Sequence, residues 1–114
     1  MIYRKPEDLP DRRVSHNPEI GKKVMLDRGD LPCLLNFSRA VFGPGQTAAA
    51  HSHEDMNEVF FVENGRGVIR IDGQAYPLGK GVCAAIETGE IHEISNTGDT
   101  DLVLLYFAIT ESLR

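Results

Sequence analysis

The sequence predicts an all-β domain, an antiparallel sandwich or barrel built from short strands. Three observations predict it. No window sustains an apolar repeat of helical period. Short runs rich in Val, Ile, Phe and Tyr are separated by glycine-rich turns. Asp72-Gly73 lies between two alternating runs and is the strongest two-residue hairpin signal in the chain. Short strands joined by tight turns, with no helices to carry crossovers, pair antiparallel and close into two packed layers.

Taken in order, residues 1–20 are polar and carry Pro6, Pro10 and Pro18, which predicts an N-terminal arm that packs on the body or on a partner. Residues 21–114 then form the β-domain. Its first strand is Lys23 to Asp27, followed by Leu34 to Phe42, which the breaker Gly43-Pro44-Gly45 ends. Asn57 to Glu63 runs into an Asn64-Gly65 turn. Gly67 to Ile71 and Gln74 to Leu78 flank the Asp72-Gly73 hairpin. Gly81 to Ile86, Ile91 to Ser95 and Leu102 to Thr110 complete the set. Val59 to Val62 and Leu102 to Ile109 are apolar on both faces, whereas a strand with water on one side alternates. The outer face of one sheet is therefore expected to be covered, by the arm or by a second copy, and we expect a homodimer.

With 114 residues the chain makes about one domain, and an apolar fraction of 41% is enough for a core. A net charge of -5 argues against nucleic acid, since phosphate binding needs a positive patch and the only basic clusters are Arg12-Arg13 and Lys22-Lys23. No segment approaches the roughly 18 apolar residues of a membrane span. The first residues lack the apolar run of a signal peptide, so a cytoplasmic protein is expected. Cys33 and Cys83 sit in apolar segments and are expected to be buried free thiols.

The chemistry is concentrated in two stretches. The first reads Gly45, five residues, His51-Ser52-His53, four residues, Glu58, six residues, Gly65. The second reads Gly81, five residues, Glu87-Thr88-Gly89, two residues, His92, three residues, Asn96. On an extended backbone His51 and His53 point to one face and could chelate one ion. The residues from Glu54 to Asn57 make a turn that folds Glu58 back beside that pair. His92 heads another strand just after a glycine turn. Three imidazoles and one carboxylate suit Mn, Fe, Co, Ni, Zn or Cu and disfavour Ca or Mg. His16, Glu90 and Glu93 read as surface residues.

These two stretches resemble the two cupin motifs. The first matches G(X)5HXH(X)3,4E(X)6G at every fixed position, and the second matches G(X)5PXG(X)2H(X)3N except at Glu87, where the family usually has proline. The 15 residues Arg66 to Lys80 separate the motifs, the short spacing of compact microbial cupins. The resemblance implies a single-domain antiparallel jelly-roll barrel (a double-stranded β-helix). It also implies a divalent transition-metal ion on His51, His53, Glu58 and His92. Losing the proline at Glu87 is expected to loosen the turn before His92 without removing a ligand.

An octahedral ion on four protein ligands keeps two positions open for water, dioxygen or a bidentate small molecule. A tetrahedral zinc would be filled and structural. A metalloenzyme of dioxygenase, isomerase or lyase type acting on a small organic molecule is therefore the leading reading. A non-catalytic metal- or ligand-binding barrel, or a structural metal in an oligomeric module, is the alternative. Met56, Phe60, Val62, Arg39 and Tyr106 are the expected pocket-lining residues, with Asn36, Ser38 and Tyr76 as further polar candidates. Strand parity places Asn36 and Ser38 opposite Arg39 without saying which face points inward. No helix-turn-helix pattern and no phosphate-binding glycine loop accompany the motifs.

Overall fold

The computed structural model of the protein describes residues 1–111, so the last three residues of the expected 21–114 domain lie outside the described part. After a single 3₁₀ turn, Pro6–Asp8, come ten strands: β1 Arg12–Val14, β2 Asn17–Leu26, β3 Leu34–Phe42, β4 Thr47–His51 and β5 Asn57–Asn64. β6 Gly67–Ile71, β7 Gln74–Leu78, β8 Cys83–Ile86, β9 His92–Asn96 and β10 Leu102–Ile109 follow. They form a six-stranded sheet of order β1-β2-β3-β10-β5-β8 and a four-stranded sheet of order β4-β9-β6-β7. Every pairing is antiparallel, as in a jelly roll.

The local chemistry explains the turns. Asp72 and Gly73 both take positive φ, 48° and 85°, the geometry a two-residue hairpin needs to match strand twist. Asn96 is 2% exposed, and its side-chain amide donates to Phe42 O (2.9 Å) and Thr100 O (2.8 Å) while its Oδ1 accepts from Gly98 N (2.9 Å). The asparagine of the second motif is thus a clamp between the sheets, with every buried polar atom satisfied.

Register decides which side chains share the interior. On the large sheet Ala108 pairs with Glu58 on one side and Asn36 on the other, Tyr106 with Phe60 and Ser38, and Leu104 with Val62 and Ala40. Paired residues point to the same face, and these rows point inward, where Ile20, Phe42, Ile69, Leu78, Ile86, Ile94 and Leu102 complete the core. The alternate rows point outward: Leu105 beside Arg39 and Phe61, and Phe107 beside Phe37 and Val59. The outer face therefore carries an apolar band, with Phe37 and Phe107 edge-on at 6.5 Å and Phe61 and Ile109 exposed.

The structure departs from the sequence reading at both ends of β2 and at β4. Arg12–Val14 and the start of β2, expected to belong to the arm, form a hairpin at the edge of the large sheet, and Ile20 is fully buried. The segment before them packs back on β2 through Lys23 Nζ to Leu9 O (2.7 Å) and Arg4 to Met25 O (2.8 Å). β2 lies near the sheet edge and buries only Ile20 and Val24 fully, so its composition reads as polar. β4 was not anticipated because its Thr-Ala-Ala-Ala run has little of the bulk that marks a strand. Both cysteines are free, but neither is fully buried: Cys33 is half-buried, and Cys83 is exposed because it shares the outer row with Phe61.

Gly67 opens β6 in the small sheet beside β9, and a Cβ there would collide with the Ser95 carbonyl and the Leu102 side chain. Gly67→Ala is expected to cost about 2 kcal/mol or more of stability, since backbone cannot move aside cheaply. Urea denaturation measures it, with Gly79→Ala, which meets nothing within 4 Å, as the control.

Candidate metal centre

Glu58 opens β5 in the same row as Ala108 and Asn36, so its carboxylate points into the barrel, where it is 7% exposed. His51 and His92 reach it from the facing sheet, as direct cross-strand partners between β4 and β9. A bulge makes that pairing work. Ala48 pairs with Ile94 and faces the core, and strict alternation from Ala48 would turn residue 51 outward. The register shift between Ala48 and His51 inserts one extra residue and turns His51 back inward. The two rings then lie 4.1 Å apart between centroids.

Backbone carbonyls orient the rings. His51 Nδ1 lies 2.7 Å from Ala49 O and His92 Nδ1 lies 3.3 Å from Glu90 O. A carbonyl only accepts, so each Nδ1 carries the proton and each Nε2 keeps its lone pair for the interior. His53 lies beyond the end of β4, in a loop braced against the turn that precedes His92. Gly89 N donates to His53 O (2.8 Å), Thr88 N to Asn57 Oδ1 (2.8 Å) and Thr88 Oγ1 to Met56 O (3.0 Å). Glu87, at the position of the family proline, donates its backbone N–H to Glu90 Oε1 (2.7 Å), a bond proline could not make. That bond supplies a turn constraint where the sequence suggested looseness.

One potential ligand atom from each of His51, His53, Glu58 and His92 lies within 4.8 Å of the others. An ion held at about 2.1 Å separates its donors by about 3 to 4.3 Å, so the cluster is close to closed around a cation. Glu58 Oε1 is 3.1 Å from Nε2 of both His53 and His92. Yet Glu58 Oε1 and His92 Nε2 are buried without an aligned hydrogen bond. Buried polar atoms are rarely left so, and a cation between them would satisfy both. Burial pushes the His51 pKa down to about 4, so this ring is a neutral donor at physiological pH. Burial alone would also lower His92 and raise Glu58. Their mutual attraction wins for both, holding the His92 pKa above and the Glu58 carboxyl below its ordinary value. The donor set therefore fits a divalent transition metal.

The cluster opens on a cavity of about 130 Å³. Met56, Phe60 and Tyr106 line it, with Asn36, Lys22 and His16. Phe60 stacks on Tyr106 at 5.3 Å and meets His92 at 6.3 Å. Burial raises the Tyr106 pKa to about 12, so its hydroxyl keeps its proton. Two expected lining residues lie elsewhere. Arg39 is in an outward row and pairs with Glu63 at 2.8 Å. Val62 is 1% exposed and belongs to the packed core instead of the cavity wall. Tyr76 is exposed on β7. His16 is the residue the sequence reading missed. It lies in the turn between β1 and β2 and is exposed at one edge. Its ring stacks on His51 at 3.5 Å with a 17° interplanar angle. No motif contains it, and only the β1–β2 hairpin brings it near.

Comparison with known proteins agrees with this architecture. Residues 38–108 match the cupin-domain family model, and the chain belongs to the cupin family. An oxalate-binding protein of Thermotoga maritima is 36% identical over 109 residues, covering 92% of this chain and 90% of the relative. A Thermotoga maritima protein crystallised as a predicted oxalate decarboxylase superposes with a TM-score of 0.86 at 26% identity, covering 94% of this chain and 97% of the other. An RmlC-like cupin from Shewanella frigidimarina shares the fold at a TM-score of 0.78 and 14% identity, covering 96% and 90%.

Removal of one imidazole leaves Glu58 buried with fewer partners and a cation with three ligands. His92→Ala is therefore expected to lower the affinity for cobalt or manganese by at least about a hundredfold, measured by competition with a chelating dye. His16→Ala removes only a stacking partner of His51 and is expected to weaken binding by less than about tenfold.

Proposed function

We propose that this cupin holds one divalent Mn, Fe, Co, Ni, Zn or Cu ion on His51, His53, Glu58 and His92 and presents it to a small organic acid. The observation that carries this reading is the buried Glu58 carboxylate facing two imidazole nitrogens at 3.1 Å with no aligned hydrogen bond on its Oε1. The metal would supply Lewis acidity at an oxygen of the bound ligand. The protein's own residues bind and shield. Phe60, Ile94 and Leu104 exclude water on the apolar side, and Tyr106, which lines the cavity, keeps a protonated hydroxyl. The cavity admits only a few heavy atoms, which suits a small carboxylate. The likeness to a relative described as an oxalate-binding protein supports the same ligand class.

Metal-dependent chemistry of the dioxygenase, isomerase or lyase type is the leading form of this reading. One observation favours a second form, a barrel that binds without turnover. Among the described residues Glu58 is the only acid lining the cavity, and its Oε1 faces the imidazoles, so none of them offers a separate carboxylate as a general base. A purely structural metal is disfavoured by the cavity that opens beside it. The free thiols at Cys33 and Cys83 accord with a reducing, cytoplasmic setting. The outward band of Phe37, Val59, Phe61, Leu105 and Phe107 supports a homodimer through the large sheet.

Two measurements test this. Titration calorimetry with oxalate is expected to show binding to metal-loaded protein and none after chelation, and equal binding to both would contradict the role of the ion. Sedimentation equilibrium is expected to return a dimer at micromolar concentration, which Phe61→Glu converts to monomer by placing a charge in the apolar band.

A further inference from the structure

We propose that Lys22 makes this cavity selective for dianions. Its ammonium receives the second carboxylate of a short dicarboxylate whose first carboxylate is held at the metal centre. This rests on the metal reading given above and goes beyond it by naming the group that recognises the far end of the ligand.

Placement is the first argument. Lys22 pairs with Ala40 on β3, and Ala40 is fully buried and lines the cavity. Paired residues share a face, so the Lys22 side chain starts from the interior side of the large sheet, and it lines the same cavity as His51, Glu58 and His92. Its neighbour Lys23 has the opposite parity and is engaged outside the barrel, with Asp11 at 2.7 Å and Leu9 O at 2.7 Å.

Lack of a partner is the second. Lys22 is half-buried, and among the described residues its ammonium has neither an ion pair nor a hydrogen bond. Arg12, paired with it across β1, is already committed to Asp27 at 2.9 Å. A half-buried cation without a counter-ion is costly, and this one belongs to a residue that lines the cavity. Burial pulls its pKa below the ordinary lysine value, and Arg12 adds to that, while Asp27 and Glu58 act in the other direction.

Charge and size complete the case. Among the described residues Glu58 is the only acidic one lining the cavity. A divalent ion, one carboxylate and one ammonium leave the cavity with two positive charges, which a dianion neutralises and a monocarboxylate does not. Much of the remaining wall is apolar, including Phe42, Ala48, Ile94 and Leu104, so a second carboxylate has few alternatives. Asn36 adds one more donor: its Oδ1 accepts from Ser38 at 3.2 Å, and its amide nitrogen has no partner among the described residues. A cavity of about 130 Å³ limits the dicarboxylate to a short one.

The test uses the full chain loaded with manganese, with oxalate as the dianion and acetate as the monoanion, both followed by titration calorimetry. Manganese affinity is measured separately by electron paramagnetic resonance. The wild type is expected to bind oxalate more tightly than acetate. Lys22→Met keeps the length of the side chain and removes the charge. It should weaken oxalate by roughly tenfold to a hundredfold, the worth of one charged hydrogen bond, with acetate and manganese affinity unchanged. Lys22→Arg should retain most of the preference for oxalate. Equal losses for the two acids, or none for oxalate, overturn the role of Lys22 while leaving the metal centre standing. A wild type that takes up no manganese overturns both readings. If Lys22→Met does not fold, loss of the oxalate preference in Lys22→Arg, with manganese still bound, overturns the proposal by itself.

Discussion

The structure turns on a carboxylate placed inside a barrel. Glu58 is buried in the inward row of β5, and what it faces is three imidazoles. An ionised group in such a place is stable only when paired or coordinated. The attraction is visible in the opposite displacements of the Glu58 and His92 pKa values from what burial alone would cause. Much of the rest serves to keep these side chains in register: the β4 bulge, the carbonyls behind His51 and His92, and the loop bonds that tie His53 to the turn at Gly89.

Such an arrangement separates two jobs. The large sheet supplies the carboxylate together with the polar and aromatic groups Asn36, Tyr106 and Lys22 that line the cavity. The small sheet supplies His51 and His92. An ion between them would cross-link the two layers, so metal binding and barrel stability are coupled by mass action. The cavity lies beside that link, where a ligand would meet the cation on one side and the large sheet's polar groups on the other.

Much of this was legible in the sequence because the relevant signals are local. The boundaries of β3, β6 and β7 follow from breakers and from the Asp72-Gly73 turn, and each lies where its alternation predicts. The four clustered side chains were legible from spacing around strand ends. Signals that depend on partners were not. The inward direction of β3 is fixed only by pairing with β10, so Arg39 and Asn36 could not be told apart beforehand. His16 lies in no motif and reaches His51 through a hairpin that reads as a polar arm. The bulge at β4 leaves no mark in a run of alanines, although without it His51 would face water. Glu87 shows the converse: a departure from the family pattern that looks destabilising is offset by a hydrogen bond only a non-proline residue can make.

The central claim is that four side chains converge on one cation. Crystals grown with cobalt and measured at its absorption edge test it directly. The account predicts one strong anomalous peak bonded to the Nε2 atoms of His51, His53 and His92 and to a Glu58 oxygen. A barrel with no peak there, or with the cobalt bound elsewhere on the surface, would contradict it.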